Sequence, residues 1–330
     1  MRLGGEPFKT ARTLLPQVQS QQKIGLLVDT VETVIKGKRQ VIEQALTALF
    51  AGGHLLVEDV PGVGKTTLAH SLALILECRF HRIQFTSDLL PSDIIGISIY
   101  NQSRQAFEFK RGPIFANVIL ADEINRTTPK TQSALLEAMS EGQVTADSQT
   151  IELPKPFLVL ATQNPVEHHG TYPLPESQLD RFLMRIKMGY PTREDEKEIF
   201  HSQSHADPLG NLQAVITSSE VLEIQRTVRT IQMDEAIVDY ALQIVEKTRR
   251  SEFLSLGVSP RGSLALLRAC QSRAYVQGRD YCLPDDVKNL VIPVLAHRVV
   301  ANKHAASTLR RNEEAERVLQ EIIESVEVPL

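Results

Sequence analysis

The sequence predicts an α/β domain, with a parallel sheet between helices, followed by a smaller all-α domain. Three observations predict it. Short apolar runs alternate with helical stretches up to about residue 189. That alternation suits a parallel sheet covered on both faces. Past Met188-Gly189-Tyr190-Pro191 the strand pattern stops and helical periodicity takes over. A chain of 330 residues is also long for one core and comfortable for two.

The elements follow in order. Residues 1–20 lack a signal peptide's apolar core and are expected to form a poorly ordered, mildly basic arm. Val41, Ile42, Ala45, Leu46, Leu49 and Phe50 recur at helical spacing, ending at Gly52-Gly53. His54-Leu55-Leu56-Val57-Glu58 suits a buried strand. A glycine-rich turn follows, then a helix marked by Leu68, Leu72, Ile75 and Leu76. Further strands are expected at 80–85, 115–121, 156–162 and 182–188. A helix is expected at 131–141, with Thr128 as cap and Pro129 in the first turn. Beyond residue 189 helices are expected near 192–205, 218–230, 234–250, 260–277, 284–297 and 307–326, with no strand. Thr217 and Glu220 have capping-box spacing, and Gly278 suits a helix end.

Composition narrows the function classes. The formal net charge is -4, which does not mark a dedicated nucleic-acid binder. Trp is absent and aromatics are 5% of residues, so a base-stacking surface is disfavoured. The three cysteines, Cys78, Cys270 and Cys282, show no metal or redox spacing and fit a reducing compartment, expected to be the cytoplasm. No apolar run approaches the roughly 20 residues that span a bilayer. The pair His168-His169 lies in a loop-like stretch without the partners of a zinc site.

Two motifs carry chemistry. In Pro61-Gly62-Val63-Gly64-Lys65-Thr66-Thr67 the glycines let backbone wrap around phosphate oxygens. Lys65 supplies a cation for the β and γ phosphates of ATP, and the Thr66 hydroxyl is placed for Mg²⁺. The strict pattern asks for glycine where Asp59 stands. Downstream, the apolar run 118–121 delivers Asp122 and Glu123 at its carboxyl end, where α/β sheets bind ligands. Asp122 is expected to hold the magnesium, and Glu123 to orient and deprotonate the attacking water. Asn164 ends another apolar run, where it can polarise that water or simply turn the chain before Pro165. Arg181 and Arg261 are either surface ion-pair partners or cations for an anionic ligand.

Taken together, the chain resembles the MoxR family of AAA+ ATPases. The resemblance covers about 20–300. It rests on LVEDVPGVGKTTLA at 56–69, RIQFTSDLLPSDIIG at 82–96 and KRGPIFANVILADEINRTTPKTQSALLEAMSEGQV at 110–144. ATQNP at 161–165, GTYPLPESQLDRFLMRI at 170–186 and SPRGSLALLRA at 259–269 complete it. The resemblance implies a P-loop NTPase AAA+ core at 21–189 and a helical lid at 190–330. It makes Lys65 and Thr66 the Walker A residues, Asp122 and Glu123 Walker B, and Asn164 sensor 1. Arg181 matches the arginine finger, and Arg261 the sensor 2 arginine. Segments 93–112 and 142–157 match the family's helix-2 insert and pre-sensor hairpin. The cofactors implied are ATP and Mg²⁺. The assembly implied is a homo-oligomer, a hexameric ring. The partners implied are a separate protein with a von Willebrand factor A domain and a protein client to be matured or activated. Alternatives in the same superfamily are a chelatase-like motor subunit, a nucleic-acid motor and a non-hydrolysing ATP switch. Hairpin 142–157 holds only Lys155 as a base, beside Asp147 and Glu152, which counts against nucleic acid.

Overall fold

Short apolar strands need both faces covered, and here they pair into one five-stranded parallel sheet. The computed structural model describes residues 11–146, 149–164, 171–203, 208–302 and 308–329. The chain opens with α1 (Ala11–Glu32), α2 (Arg39–Phe50), β1 (Leu55–Glu58), α3 (Lys65–Ile75) and β2 (Phe80–Gln84). Next come α4 (Pro91–Ile95), β3 (Gly96–Asn101), β4 (Ala106–Arg111), β5 (Val118–Asp122) and α5 (Pro129–Glu141). The sheet domain closes with β6 (Gln143–Ala146), β7 (Gln149–Glu152), β8 (Leu158–Gln163), α6 (Glu176–Leu179) and β9 (Met184–Ile186). The helical part comprises α7 (Arg193–Gln203), α8 (Ser218–Val228), α9 (Glu235–Arg250), β10 (Leu254–Leu256), α10 (Pro260–Val276), α11 (Pro284–Leu295), β11 (Val300–Ala301) and α12 (Thr308–Ser325).

The strand order is β2-β5-β8-β1-β9. Alternation along each strand sends neighbouring residues to opposite faces. Leu55, Val57, Val118, Leu120, Leu158 and Leu160 join one core, shared with α1, α2, α3 and the helical part. Leu56, Ile119, Ala121, Val159 and Ala161 join the other, under α4 and α5. The β3–β4 and β6–β7 hairpins stand apart from this sheet, in the two segments matched above to family inserts.

Three expectations need correction. Residues 11–20 of the expected arm belong to helix α1, while 1–10 lie outside the described residues. The helical part does contain strands. β10 and β11 form an antiparallel ribbon, with Leu254 paired to Ala301. Runs of three and two residues are too short to show a period in sequence. Thr128 stands at the start of α5, but its side chain makes no capping bond there. The Thr217–Glu220 capping box is present, and Gly278 sits at a φ of 75° past the end of α10. His168 and His169 lie outside the described residues.

A buried ionic cluster ties the last helix to the sheet. Arg185 on β9 is 3% exposed and pairs with Glu58 at 3.2 Å and with Glu316 of α12 at 2.8 Å. Asn312 Nδ2 also donates to Glu58 Oε2 at 3.2 Å. Removing one partner of such a cluster strands a buried charge. Arg185→Met is therefore expected to cost about 3–5 kcal/mol of stability. Urea denaturation measures it, and a loss under about 1 kcal/mol contradicts the assignment.

Two buried histidines set an acid limit. His54 Nδ1 accepts from the Val159 N–H at 3.1 Å, so Nε2 carries the proton and donates to Met139 O at 3.0 Å. Burial lowers the His54 pKa to about 4, against the weaker raising pull of the Met139 carbonyl. Burial also pushes His297 well below the ordinary range, helped by Arg298 and Arg185. The unfolded chain takes up these protons near pH 6.5, but the folded chain resists until much lower pH. Their stabilising effect is complete above pH 6.5 and lost as pH falls towards 4. Stability is expected to drop by about 3 kcal/mol through His54 alone over that interval. Denaturation midpoints measured between pH 7 and pH 4.5 test the sign.

Candidate active site

The glycine turn at 59–64 joins β1 to α3. Gly62 and Gly64 have φ of 87° and 98°, a region that L side chains rarely adopt. α3 starts at Lys65, so its first-turn N–H groups open into the turn. Lys65 Nζ donates to Asp59 O at 2.8 Å. Burial lowers the Lys65 pKa, and Asp122, Asp59 and Glu123 pull it back up.

Asp59 has a physical reason to stand where the strict motif has glycine. Its Oδ1 accepts from the Val60 N–H at 2.8 Å and its Oδ2 from the Gly189 N–H at 2.6 Å. The carboxylate thus pins the start of the loop to the chain leaving β9.

The two acidic residues sit at the end of β5 and are held from both sides. On β8, the Thr162 hydroxyl donates to Asp122 Oδ1 at 2.5 Å and accepts from the Glu123 N–H at 2.8 Å. On β2, Arg82 Nη2 lies 2.6 Å from Asp122 Oδ2. Gln84 Nε2 donates to Glu123 Oε2 at 2.8 Å, and Arg126 Nε lies 3.1 Å from the same oxygen. Glu123 has φ 59° and ψ 48°, a left-handed conformation uncommon outside glycine. Its bonds to Thr162, Gln84 and Arg126 offset that cost.

A cavity of about 450 Å³ collects these groups. Pro61, Gly62, Gly64, Lys65, Thr66, Thr67, Asp122, Glu123 and Asn164 line it, with Arg82 and Gln84. A second cavity of about 350 Å³ shares Gly62, Gly64 and Thr67 and adds Val63. Val34, Ile35, Pro191, Ile199 and Leu209 give it apolar walls, with Lys36 and Lys38 beside them. A polar chamber and an apolar one meeting across a helix N-terminus suit a ligand with phosphates at one end and a flat base at the other. A magnesium ion fits the donor set. Thr66 and Asp122 face the same chamber, and magnesium takes one or two protein oxygens and completes its shell with phosphate and water.

Arg181 and Arg261 are placed elsewhere. Among the described residues, neither lines the phosphate chamber. Arg181 Nη1 donates to Leu136 O at 2.7 Å and Ser140 Oγ at 2.6 Å on α5. Arg261, in the first turn of α10, has its Nε 3.9 Å from Asp180 Oδ2 and is largely exposed. Sequence reasoning did not find Thr162, Arg82, Gln84, Arg126 or the apolar walls. The one available signal was the spacing of Arg82 and Gln84, two residues apart on a strand and so on one face.

Comparison with known proteins agrees with this geometry. The family model of the ATPase family associated with various cellular activities (AAA) matches 54–184, and the AAA lid domain matches 246–322. The Mycobacterium tuberculosis chaperone MoxR1 is 42% identical over 308 residues, covering 91% of this chain and 80% of that one. The chain belongs to the MoxR family of AAA ATPases. The Bacillus subtilis protein YeaC is 48% identical, with 93% and 95% of the two chains covered. The crystal structure of a Cytophaga hutchinsonii protein assigned as an ATPase superposes with a TM-score of 0.87 at 38% identity, covering 97% and 98%. In this MoxR-family chain the AAA match spans β1 to β9, and the lid match runs from within α9 into α12. Among the described residues no helix is long and apolar enough to cross a membrane.

Proposed function

We propose that this chain hydrolyses ATP within an oligomeric ring and uses the cycle to remodel, mature or activate a protein partner. The observation that carries the reading is the single chamber joining Lys65 and Thr66 to Asp122, Glu123 and Asn164. In this reading, Lys65 and the first-turn N–H groups of α3 hold the phosphates. Thr66 and Asp122 would hold a magnesium ion, which would supply positive charge to the phosphates. Glu123 takes a proton from water as its oxygen attacks the γ-phosphorus and the bond to ADP breaks. Asn164 orients that water. The apolar cavity takes the adenine.

Two arginines stand outside their own chain's chamber, which supports an assembly. Arg181 serves as a finger on a nucleotide bound by the next subunit, where a positive charge stabilises the transferring phosphoryl group. Arg261 lies beside it on Asp180 and is assigned to the same interface. A hexameric ring is the expected form. The client reading draws on the relative named as a chaperone. A separate partner with a von Willebrand factor A domain is part of the same proposal.

Replacing Glu123 by Gln is expected to leave ATP binding intact and slow phosphate release by two or more orders of magnitude. Turnover at the normal rate would remove Glu123 from the chemistry. Arg181→Ala is expected to fold and bind ATP without hydrolysing it. Mixed with a Lys65→Ala chain, which binds no ATP but keeps its finger, it should regain part of the activity. Failure to regain any at every mixing ratio contradicts action between subunits.

A further inference from the structure

Arg298 has no part in the scheme above, yet it is a buried charge seated against the segment that carries Arg181. That segment, 180–183, joins the single turn α6 to β9. One turn of helix has little stability of its own, and buried carbonyls beyond it need donors from elsewhere. The donors come from the helical part of the chain. A short helical turn, Ala296–Arg298, follows α11 and meets the segment.

Arg298 Nε donates to Asp180 Oδ1 at 2.7 Å. Its Nη2 donates to Phe182 O at 2.6 Å and to Asp180 O at 3.3 Å. Its Nη1 donates to Leu183 O at 3.1 Å and to Val294 O. Each N–H of the guanidinium thus has a partner. His297 Nε2 adds a bond to Phe182 O at 3.0 Å. The Arg298 side chain is 3% exposed. A planar fork engaged at every N–H fixes position and angle together, which a point charge does not.

The same residue underlies Arg261. A Cβ on Gly262 would lie 3.0 Å from Arg298 Cδ, so α10 begins directly against the Arg298 stem. Asp180 lies between the two cations. It gives one oxygen to Arg298 at 2.7 Å, while Arg261 stays 3.9 Å from the other. The buried arginine therefore balances Asp180, and the exposed Arg261 keeps only a long, water-screened pair. Arg181 follows Asp180 in the chain. Both arginines assigned to the neighbour's nucleotide are thus set against one internal cation.

We propose that Arg298 is a positioning residue for the finger: it holds 180–183 at the angle that presents Arg181 to the neighbouring nucleotide, and makes that angle follow the helical part of its own chain. The inference rests on the finger reading of Arg181 given above.

The test uses full-length chains mixed before assembly, with phosphate release as the readout. Arg298→Lys keeps the charge with fewer donors and no fork. Its mant-ADP binding should match the parent's, because Arg298 lines neither cavity at the phosphate loop. Mixed with Lys65→Ala, which keeps its finger, it should regain activity as fully as Arg181→Ala does in the same mixture. Mixed with Arg181→Ala, it is the only source of a finger. That rate should fall about tenfold or more below the rate of the parent mixed with Arg181→Ala, as for loss of charge-assisted hydrogen bonds. General damage to the fold would lower both mixtures together. A second variant, Asp180→Asn with Arg298→Met, removes both charges at once and strands neither. It should show the same asymmetry, and the comparison is read in whichever variant binds mant-ADP like the parent. A finger as effective as the parent's, or equal losses in both mixtures, overturns the proposal. Loss of mant-ADP binding in both variants also overturns it, because Arg298 then serves the fold. If Arg181→Ala and Lys65→Ala regain nothing together, the finger reading itself fails, and that outcome is distinct from the others.

Discussion

The Thr162 hydroxyl between Asp122 and Glu123 is the contact on which the rest of the site depends. It donates to one residue's carboxylate and accepts the other's backbone N–H, so it fixes both with one oxygen. It can do so only because β8 lies beside β5 in parallel register, Ala121 opposite Ala161. The same order puts β2 on the other side of β5, where Arg82 and Gln84 complete the hold. β1 lies on the far side of β8, so the phosphate loop leaves the sheet at the same edge. The strand order therefore determines which side chains line the chamber.

The helical part is fastened at the start of that loop. Asp59 bonds to the Gly189 N–H, where the chain leaves the sheet domain, and Glu58 joins Arg185 and Glu316. Both ties lie within two residues of Val60, next to the glycine turn. A shift of α12 or of the chain after β9 is thus felt at the loop. The buried members of the cluster, Arg185 and Glu58, make it a stiff link.

Much of this was readable from residues alone, and the exceptions have physical causes. Three of the five sheet strands, β1, β5 and β8, are apolar runs bounded by turns, so the fold class shows in the sequence. Lys65, Thr66, Asp122 and Glu123 show because their roles demand those residue types at chain positions a strand-loop-helix unit supplies. Thr162, Arg82 and Gln84 stayed hidden because their partners lie some 40 positions away, and only strand register joins them. Ile35, Ile199 and Leu209 look like any core residues until the cavity they wall is seen. Asp59 looked like a defect in a motif, whereas its carboxylate accepts two backbone N–H groups. The ribbon of β10 and β11 was missed because its pairing joins residues 254 and 301 across two helices.

The central claim is that one chain holds half of a hydrolytic site and a neighbour supplies the rest. Its most direct test is the rate of phosphate release per subunit, followed by dilution from the assembled form to the monomer, with nucleotide binding measured alongside. The account predicts that the rate per subunit collapses on dilution while the monomer continues to bind ATP. A rate per subunit that stays constant down to the isolated monomer would contradict it.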